Sequence, residues 1–270
     1  MHDNDDPTQD PAPTRRPSRR AFLRAAGLGG GALAIGAAGA GLTRYRDLDD
    51  GRQADGATLA PVSVATGVNV LWRAETQRKV MALTFDDGPG EKLTGPLLDV
   101  LREEKVRATF VVLGRQAQRH SNLIATQVKD GHELANHSWS HADLSRLPYA
   151  GVEAELARTD ELLKKLTGRT PTVVRPPFGR ISGALLQHVA EARQKVILWD
   201  LRLDEKQFDT PGNVKWVADN LQPGTVLLSH DAGLANRSIG INAIPGIIRT
   251  AKARGYEFLT ASEMFAEHLA

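Results

Sequence analysis

Five short segments hold the residues whose side chains do chemistry. Asp86 and Asp87 stand side by side and run into Gly88 and Pro89. His137 and His141 bracket Ser138-Trp139-Ser140. Arg175 leads into Pro176-Pro177-Phe178-Gly179, Trp199 precedes Asp200, and Leu228-Ser229 precedes His230-Asp231. Adjacent carboxylates allow divided labour: one holds a metal ion while its neighbour accepts a proton from water. Taken alone, the Asp-Asp-Gly-Pro run reads as a turn, because those residues are turn formers. Two histidines four apart lie on one face of a helical turn or fold together in a loop. Two imidazoles and one carboxylate form a common catalytic zinc set with its fourth position open, and taken alone the pair reads as solvated. The chain has no cysteine, which excludes disulfides, thiolate ligands and a cysteine nucleophile together. The prolines after Arg175 fix the backbone, so a guanidinium beside a carboxylate and a backbone donor for an oxyanion are both available there. His230 is a candidate acid for a departing nitrogen. Asn136, His132, His120 and His188 read as structural or solvated.

Each of these groups follows an apolar run. Strands are expected at Val80–Phe85, Thr109–Leu113, His132–Asn136, Thr172–Val174, Val196–Trp199, Thr225–Ser229 and Tyr256–Leu259. Helices are expected at Pro96–Lys105, Leu123–Lys129, Val152–Leu166, Ala184–Ala192, Val214–Leu221 and Ile244–Ala253, with one more at the end of the chain. The strands are continuously apolar, as strands covered on both faces are. Regular alternation without a Gly-rich phosphate loop favours an α/β barrel over a nucleotide-binding open sheet. The carboxyl ends of parallel barrel strands meet on one face, so residues far apart in sequence converge there.

The first forty residues read as an address. Ser18-Arg19-Arg20-Ala21-Phe22-Leu23 precedes a stretch without charge from Ala25 to Thr43, and the combination resembles a twin-arginine export signal. Glycine recurs through that stretch, which is poor membrane-spanning material, and Ala38-Gly39-Ala40 offers a cleavage site. An N-terminal membrane anchor is the competing reading. Residues 41–69 read as a linker ending in a docking segment around Val68–Trp72, and residues 70–270 as the catalytic domain. The chain has 270 residues and a net charge of +2, too balanced for a nucleic-acid binder. No protein partner is implied beyond the export machinery.

Together the segments resemble the polysaccharide deacetylases, the NodB-homology group also called carbohydrate esterase family 4. Thr84-Phe85-Asp86-Asp87-Gly88-Pro89, His137-Ser138-Trp139-Ser140-His141, Arg175-Pro176-Pro177-Phe178 and Leu228-Ser229-His230 match its motifs in order. The resemblance implies a distorted (β/α) barrel of seven parallel strands. It implies Asp87, His137 and His141 as ligands of zinc or another divalent ion such as cobalt. Asp86 would be the general base, His230 the general acid, and Arg175 the residue that positions Asp86. Phe178, in place of the usual tyrosine, would offer its backbone N–H to the oxyanion. Leu228 would line the acetyl pocket, with Trp199 on the substrate side. The fourth motif departs from the family: Arg202 stands where an aspartate supports the acid histidine, and Lys206 where a tryptophan walls the groove. Asp200 and Asp204 are the candidates to replace that aspartate. The reaction implied is removal of an acetyl group, with N-acetyl favoured, from a cell-envelope or extracellular polysaccharide such as peptidoglycan or a chitin-like polymer. The competing readings are hydrolysis of a small acyl amide or ester on the same scaffold, and a barrel that only binds glycan.

Overall fold

The computed structural model describes residues 67–268. Its frame is a curled sheet of parallel strands with helices outside. The strands are β1 (Val70–Leu71), β2 (Val80–Asp86), β3 (Thr109–Val112), β4 (Glu133–Asn136), β5 (Val173–Val174), β6 (Lys195–Ile197), β7 (Leu201–Arg202), β8 (Thr225–His230) and β9 (Glu257–Phe258). The helices are α1 (Thr94–Glu103), α2 (Gly114–Arg119), α3 (Ser121–Lys129), α4 (Tyr149–Thr167), α5 (Gly183–Glu191), α6 (Thr210–Asn220), α7 (Arg237–Ala253) and α8 (Ala261–His268). In space the strands run β1-β6-β5-β4-β3-β2-β8-β7, and β9 pairs with the start of β2. Beyond β1 the chain crosses to β8, where Arg73 bridges Thr225 and the Ala74 N–H donates to the Gly224 carbonyl. That contact closes the curl into a distorted barrel.

Strand geometry decides what faces the lumen, because successive side chains alternate between faces. Met81, Leu83 and Phe85 of β2 join Phe110, Val112, Leu227 and the outer helices in one core cluster. Val80 and Ala82 face inward with Val111, Ala135, Val173, Ile197 and Val226. Met264 and Phe265 of α8 belong to the same inner cluster. Counting by two along each strand carries the inner face from Ala82 to Asp86, from Ala135 to His137, from Val173 to Arg175, and from Val226 to His230. The candidate site is therefore the upward continuation of the lumen's apolar layer.

All seven expected strands are present, with ends shifted by one or two residues. Two more appear, β1 and β7, each of two residues. The expected docking segment holds β1, which pairs with β6. α2 has the polar sequence Gly-Arg-Gln-Ala-Gln-Arg and no apolar stripe to announce it. α7 begins at Arg237 rather than Ile244 and carries Pro245 inside it. α4 ends where expected, at Gly168 in the left-handed conformation. The signal and most of the linker lie outside the described residues. Among the described residues no helix is long and apolar enough to cross a membrane.

Gly224 sits at the closure with φ of 81°, and a Cβ there would lie 2.0 Å from the Ala74 carbonyl oxygen. Gly224→Ala is expected to lower stability by about 1–3 kcal/mol, the range for a left-handed residue held against its preference. A thermal midpoint equal to that of the unaltered chain would show that the closure tolerates the side chain.

Candidate active site

Asp86 and Arg175 meet at the bottom of the site. Arg175 is fully buried, and its Nη1 donates to Asp86 Oδ1 at 2.7 Å and to Thr84 Oγ1 at 2.8 Å. Its Nε and Nη2 donate to the carbonyls of Ile197 and Leu198. Burial alone would raise the Asp86 pKa, but Arg175, His137 and His230 together outweigh it and hold the carboxyl below its usual range. Asp86 is thus ionised and aimed by a rigid fork, as a proton acceptor has to be.

Asp87, with φ of 73°, turns its carboxylate toward the histidines. Its Oδ1 lies 3.6 Å from His137 Nε2 and 3.4 Å from His141 Nε2. A tetrahedral ion with bonds of about 2.0–2.2 Å separates its ligand atoms by roughly 3.3–3.6 Å, so this spacing fits one. His137 Nδ1 lies 2.7 Å from the Arg175 carbonyl oxygen. That carbonyl only accepts, so Nδ1 carries the hydrogen and the Nε2 lone pair faces Asp87. Burial, opposed by Asp86 and aided by Arg115, lowers the His141 pKa and favours the neutral, ligating form. Among the described residues Asp87, His137 and His141 form the one cluster suited to a metal ion.

The remaining groups line the walls. His230 ends β8 directly opposite Asp86 in the strand register. Burial pulls its pKa down to about 3, against the pull of Asp86. Leu228 is buried two residues earlier on the same face. Prolines 176 and 177 have no N–H, so Phe178 carries the first backbone donor after Arg175. Its backbone is left-handed at φ of 61°, and its exposed ring stands edge-on to His141 with centroids 4.7 Å apart. Trp199 lies under this turn: a Cβ on Gly179 would come within 2.8 Å of the indole, and Arg175 lies 5.6 Å from its ring centre.

Comparison with known proteins places the chain in a family. The family model described as polysaccharide deacetylase matches residues 73–197. A peptidoglycan-N-acetylglucosamine deacetylase of Bacillus cereus is 33% identical over 198 residues, covering 72% of this chain and 92% of the relative. The chain belongs to the polysaccharide deacetylase family. Peptidoglycan-N-acetylmuramic acid deacetylase PdaC of Bacillus subtilis is 34% identical over 191 residues, 70% of this chain but 39% of that protein. A crystal structure of a peptidoglycan N-acetylglucosamine deacetylase bound to 4-naphthalen-1-yl-N-oxidanyl-benzamide superposes with a TM-score of 0.71 at 29% identity, covering 73% of this chain and 92% of the other.

Within this family framework, one pair of expectations is corrected. Neither Asp200 nor Asp204 supports His230. Asp200 accepts from the Val226 N–H at 2.8 Å and from the Thr225 hydroxyl, at the opposite end of β8. Four residues of strand separate Val226 from His230, about 13 Å. Asp204 caps the turn behind it by accepting from the N–H groups of Lys206 and Gln207. The buried His230 Nδ1 has no hydrogen-bond partner among the described residues.

Other contributors carried weak signals. Asp231 is fully buried; burial, opposed by a hydrogen bond from Thr94 and aided by Asp87, pushes its carboxyl up to about 8. A Cβ on Gly88 would lie 2.2 Å from Asp231 Oδ1, which explains the glycine in the Asp-Asp-Gly-Pro turn. Asn136 faces outward, the opposite parity from His137. Its Oδ1 accepts from the Ser138 N–H, and its Nδ2 donates to the Leu156 carbonyl and to Asp160.

Burial pushes the Asp160 carboxyl up to about 6, although hydrogen bonds from Asn136 and Gln194 oppose it. The folded state therefore keeps a proton that the unfolded chain has already released, and stability falls as pH rises from about 4 to 6. Buried histidines such as His230 act in the opposite sense, so the test is a difference: thermal midpoints measured from pH 4 to 7 should fall more, or rise less, in the unaltered chain than in Asp160→Asn. Parallel curves would remove Asp160 from the linkage.

Proposed function

We propose that this chain is an exported, metal-dependent deacetylase that hydrolyses acetamido groups on a cell-wall glycan of the peptidoglycan type. The observation that carries the reading is the pairing of an Arg175-held, ionised Asp86 with an Asp87 carboxylate that lies at tetrahedral-ligand distance from both His137 and His141. The names of the relatives favour peptidoglycan, and they include both N-acetylglucosamine and N-acetylmuramic acid enzymes. A divalent ion such as zinc, held by those three residues, would polarise the acetyl carbonyl and make a water molecule acidic enough to attack it.

The chain's own residues supply the rest. Asp86 accepts the proton from the attacking water. The Phe178 N–H donates to the oxygen that gains charge, a contribution commonly worth about 3–4 kcal/mol per donor. His230 protonates the departing amine. Its lowered pKa makes it neutral at pH 7 in the free site, so the proton has to arrive during the reaction. Asp86 gathers one in the first step and sits across the β2–β8 register from His230. Leu228 and Trp199 give the acetyl methyl and the sugar an apolar wall.

Asp86→Asn should cut acetate release from N-acetylglucosamine oligomers or peptidoglycan by about 100-fold or more. Bound metal, measured by elemental analysis, should stay at the unaltered level. Turnover retained in that variant would remove Asp86 as the base. Chelator-sensitive release by the unaltered enzyme is expected, and metal-loaded protein releasing no acetate from either polymer would defeat the deacetylase reading.

The export half of the proposal rests on Arg19 and Arg20 ahead of the uncharged stretch. Replacing both by lysine should hold the full-length chain in the cytoplasm. Unchanged appearance outside the cytoplasmic membrane would overturn the twin-arginine route.

A further inference from the structure

The two histidines of the metal set lie on a loop whose backbone is unusual. Ser138 and His141 both have positive φ, 69° and 68°. Neither is glycine, so the surrounding structure has to hold them there. Within the loop, the Ser138 hydroxyl accepts from the His141 N–H at 3.0 Å, and Asn136 accepts from the Ser138 N–H at 2.8 Å. Of the two residues between them, Trp139 has its ring under the Arg158 guanidinium and its carbonyl accepting from the Arg115 N–H, but the N–H groups of both Trp139 and Ser140 go to one side chain. Glu155 of α4 accepts from the Trp139 N–H at 3.0 Å and from the Ser140 N–H at 2.8 Å, both on Oε2. Its Oε1 accepts from the Ser140 hydroxyl at 2.8 Å.

Three donors on one carboxylate are charge-assisted hydrogen bonds, stronger than their neutral counterparts. Glu155 is half-buried, and its neighbour Leu156 is anchored in the core. α4 thus carries the rigidity of the helix layer into the loop. The sequence offers no signal for this role, because Glu155 lies fourteen residues beyond His141 in an otherwise ordinary amphipathic helix.

We propose that Glu155 is the positioning residue of the metal centre: it clasps the Trp139–Ser140 turn and so sets the direction of His141 relative to His137 and Asp87. It touches neither metal nor substrate. The inference rests on reading Asp87, His137 and His141 as metal ligands. Without the clasp, the loop relaxes its positive-φ residues and the three donor atoms lose their tetrahedral spacing.

Metal affinity is the direct readout. The enzyme is stripped with a chelator and titrated with Zn2+ against a competing indicator, and with Co2+ by visible absorption. Glu155→Ala should weaken Zn2+ binding by about 10- to 100-fold, the usual effect of losing a residue that orients a ligand. The cobalt spectrum should change with it, while the thermal midpoint of the metal-free protein moves little. Glu155→Gln keeps an acceptor for the two N–H groups but loses the charge, and Ser140→Ala loses one bond of the three; each should weaken binding by several-fold. Zn2+ affinity within twofold of the unaltered chain in Glu155→Ala overturns the proposal. Should that variant not fold, unchanged affinity in both Glu155→Gln and Ser140→Ala overturns it equally, as does an unaltered chain that takes up neither metal. Protein that binds zinc with the expected dependence on Glu155 yet releases no acetate would defeat the deacetylase reading and leave this one standing.

Discussion

Arg175 carries a full positive charge in a place that water does not reach. Such a charge is tolerated only where acceptors surround it. Here the Asp86 carboxylate, the Thr84 hydroxyl and the carbonyls of Ile197 and Leu198 accept from the guanidinium. The same residue's carbonyl accepts from His137, and its N–H donates to the Asn136 carbonyl. One residue thus ties together β2, β4, β5 and β6. It holds Asp86 ionised, fixes the tautomer of one candidate metal ligand, and starts the turn that presents the Phe178 N–H. The lumen above the apolar layer cannot be filled by hydrocarbon without leaving this charge unpaired. The polar site and the barrel's upper core are the same packing problem.

The parity of the strands brings the other groups to Arg175. Asp86, His137, Arg175 and His230 follow Ala82, Ala135, Val173 and Val226 at even spacing on four strands. This much is legible in the sequence, since apolar runs ending in polar residues at strand-like length imply a common face. The seven expected strands are legible as apolar runs, and α4 is legible from a stripe that ends at a glycine. Asp87 is a different case. It reaches the metal set only because the backbone turns left-handed after β2, and no pattern of residue types states that.

What escaped the sequence is what depends on positive φ or on strand register. The loop between His137 and His141 reads as a helical turn or a coil, and its true shape comes from Asn136, Ser138 and α4. β7 has two residues, and the segment around it contains several carboxylates with nothing to rank them. Asp200 looks well placed after a strand, yet the register sets Leu201 opposite Leu227 and so puts Asp200 at the foot of β8. Sequence distance from Trp199 says nothing of this stagger, which arises from the tilt of strands in a barrel.

The stagger also decides what the segment around Arg202 can reach. Arg202 and Lys206 lie on the exposed side of β7, an edge that pairs with β8 through two residues only. The indole of Trp216 donates to the Arg202 carbonyl and stacks on Phe208, so part of that edge is covered by an aromatic pair from α6 and its approach. Glu205 turns inward instead and accepts from Arg237 at the start of α7. None of these side chains hydrogen-bonds His230, whose buried Nδ1 has no partner among the described residues. Burial is the largest influence on its pKa, and Asp86 is the carboxylate that opposes it. The segment around Arg202 thus leaves Asp86, Asp87, His137 and His141 untouched, and in the proposed reaction its consequence falls on one step, the delivery of a proton by His230 to the departing group.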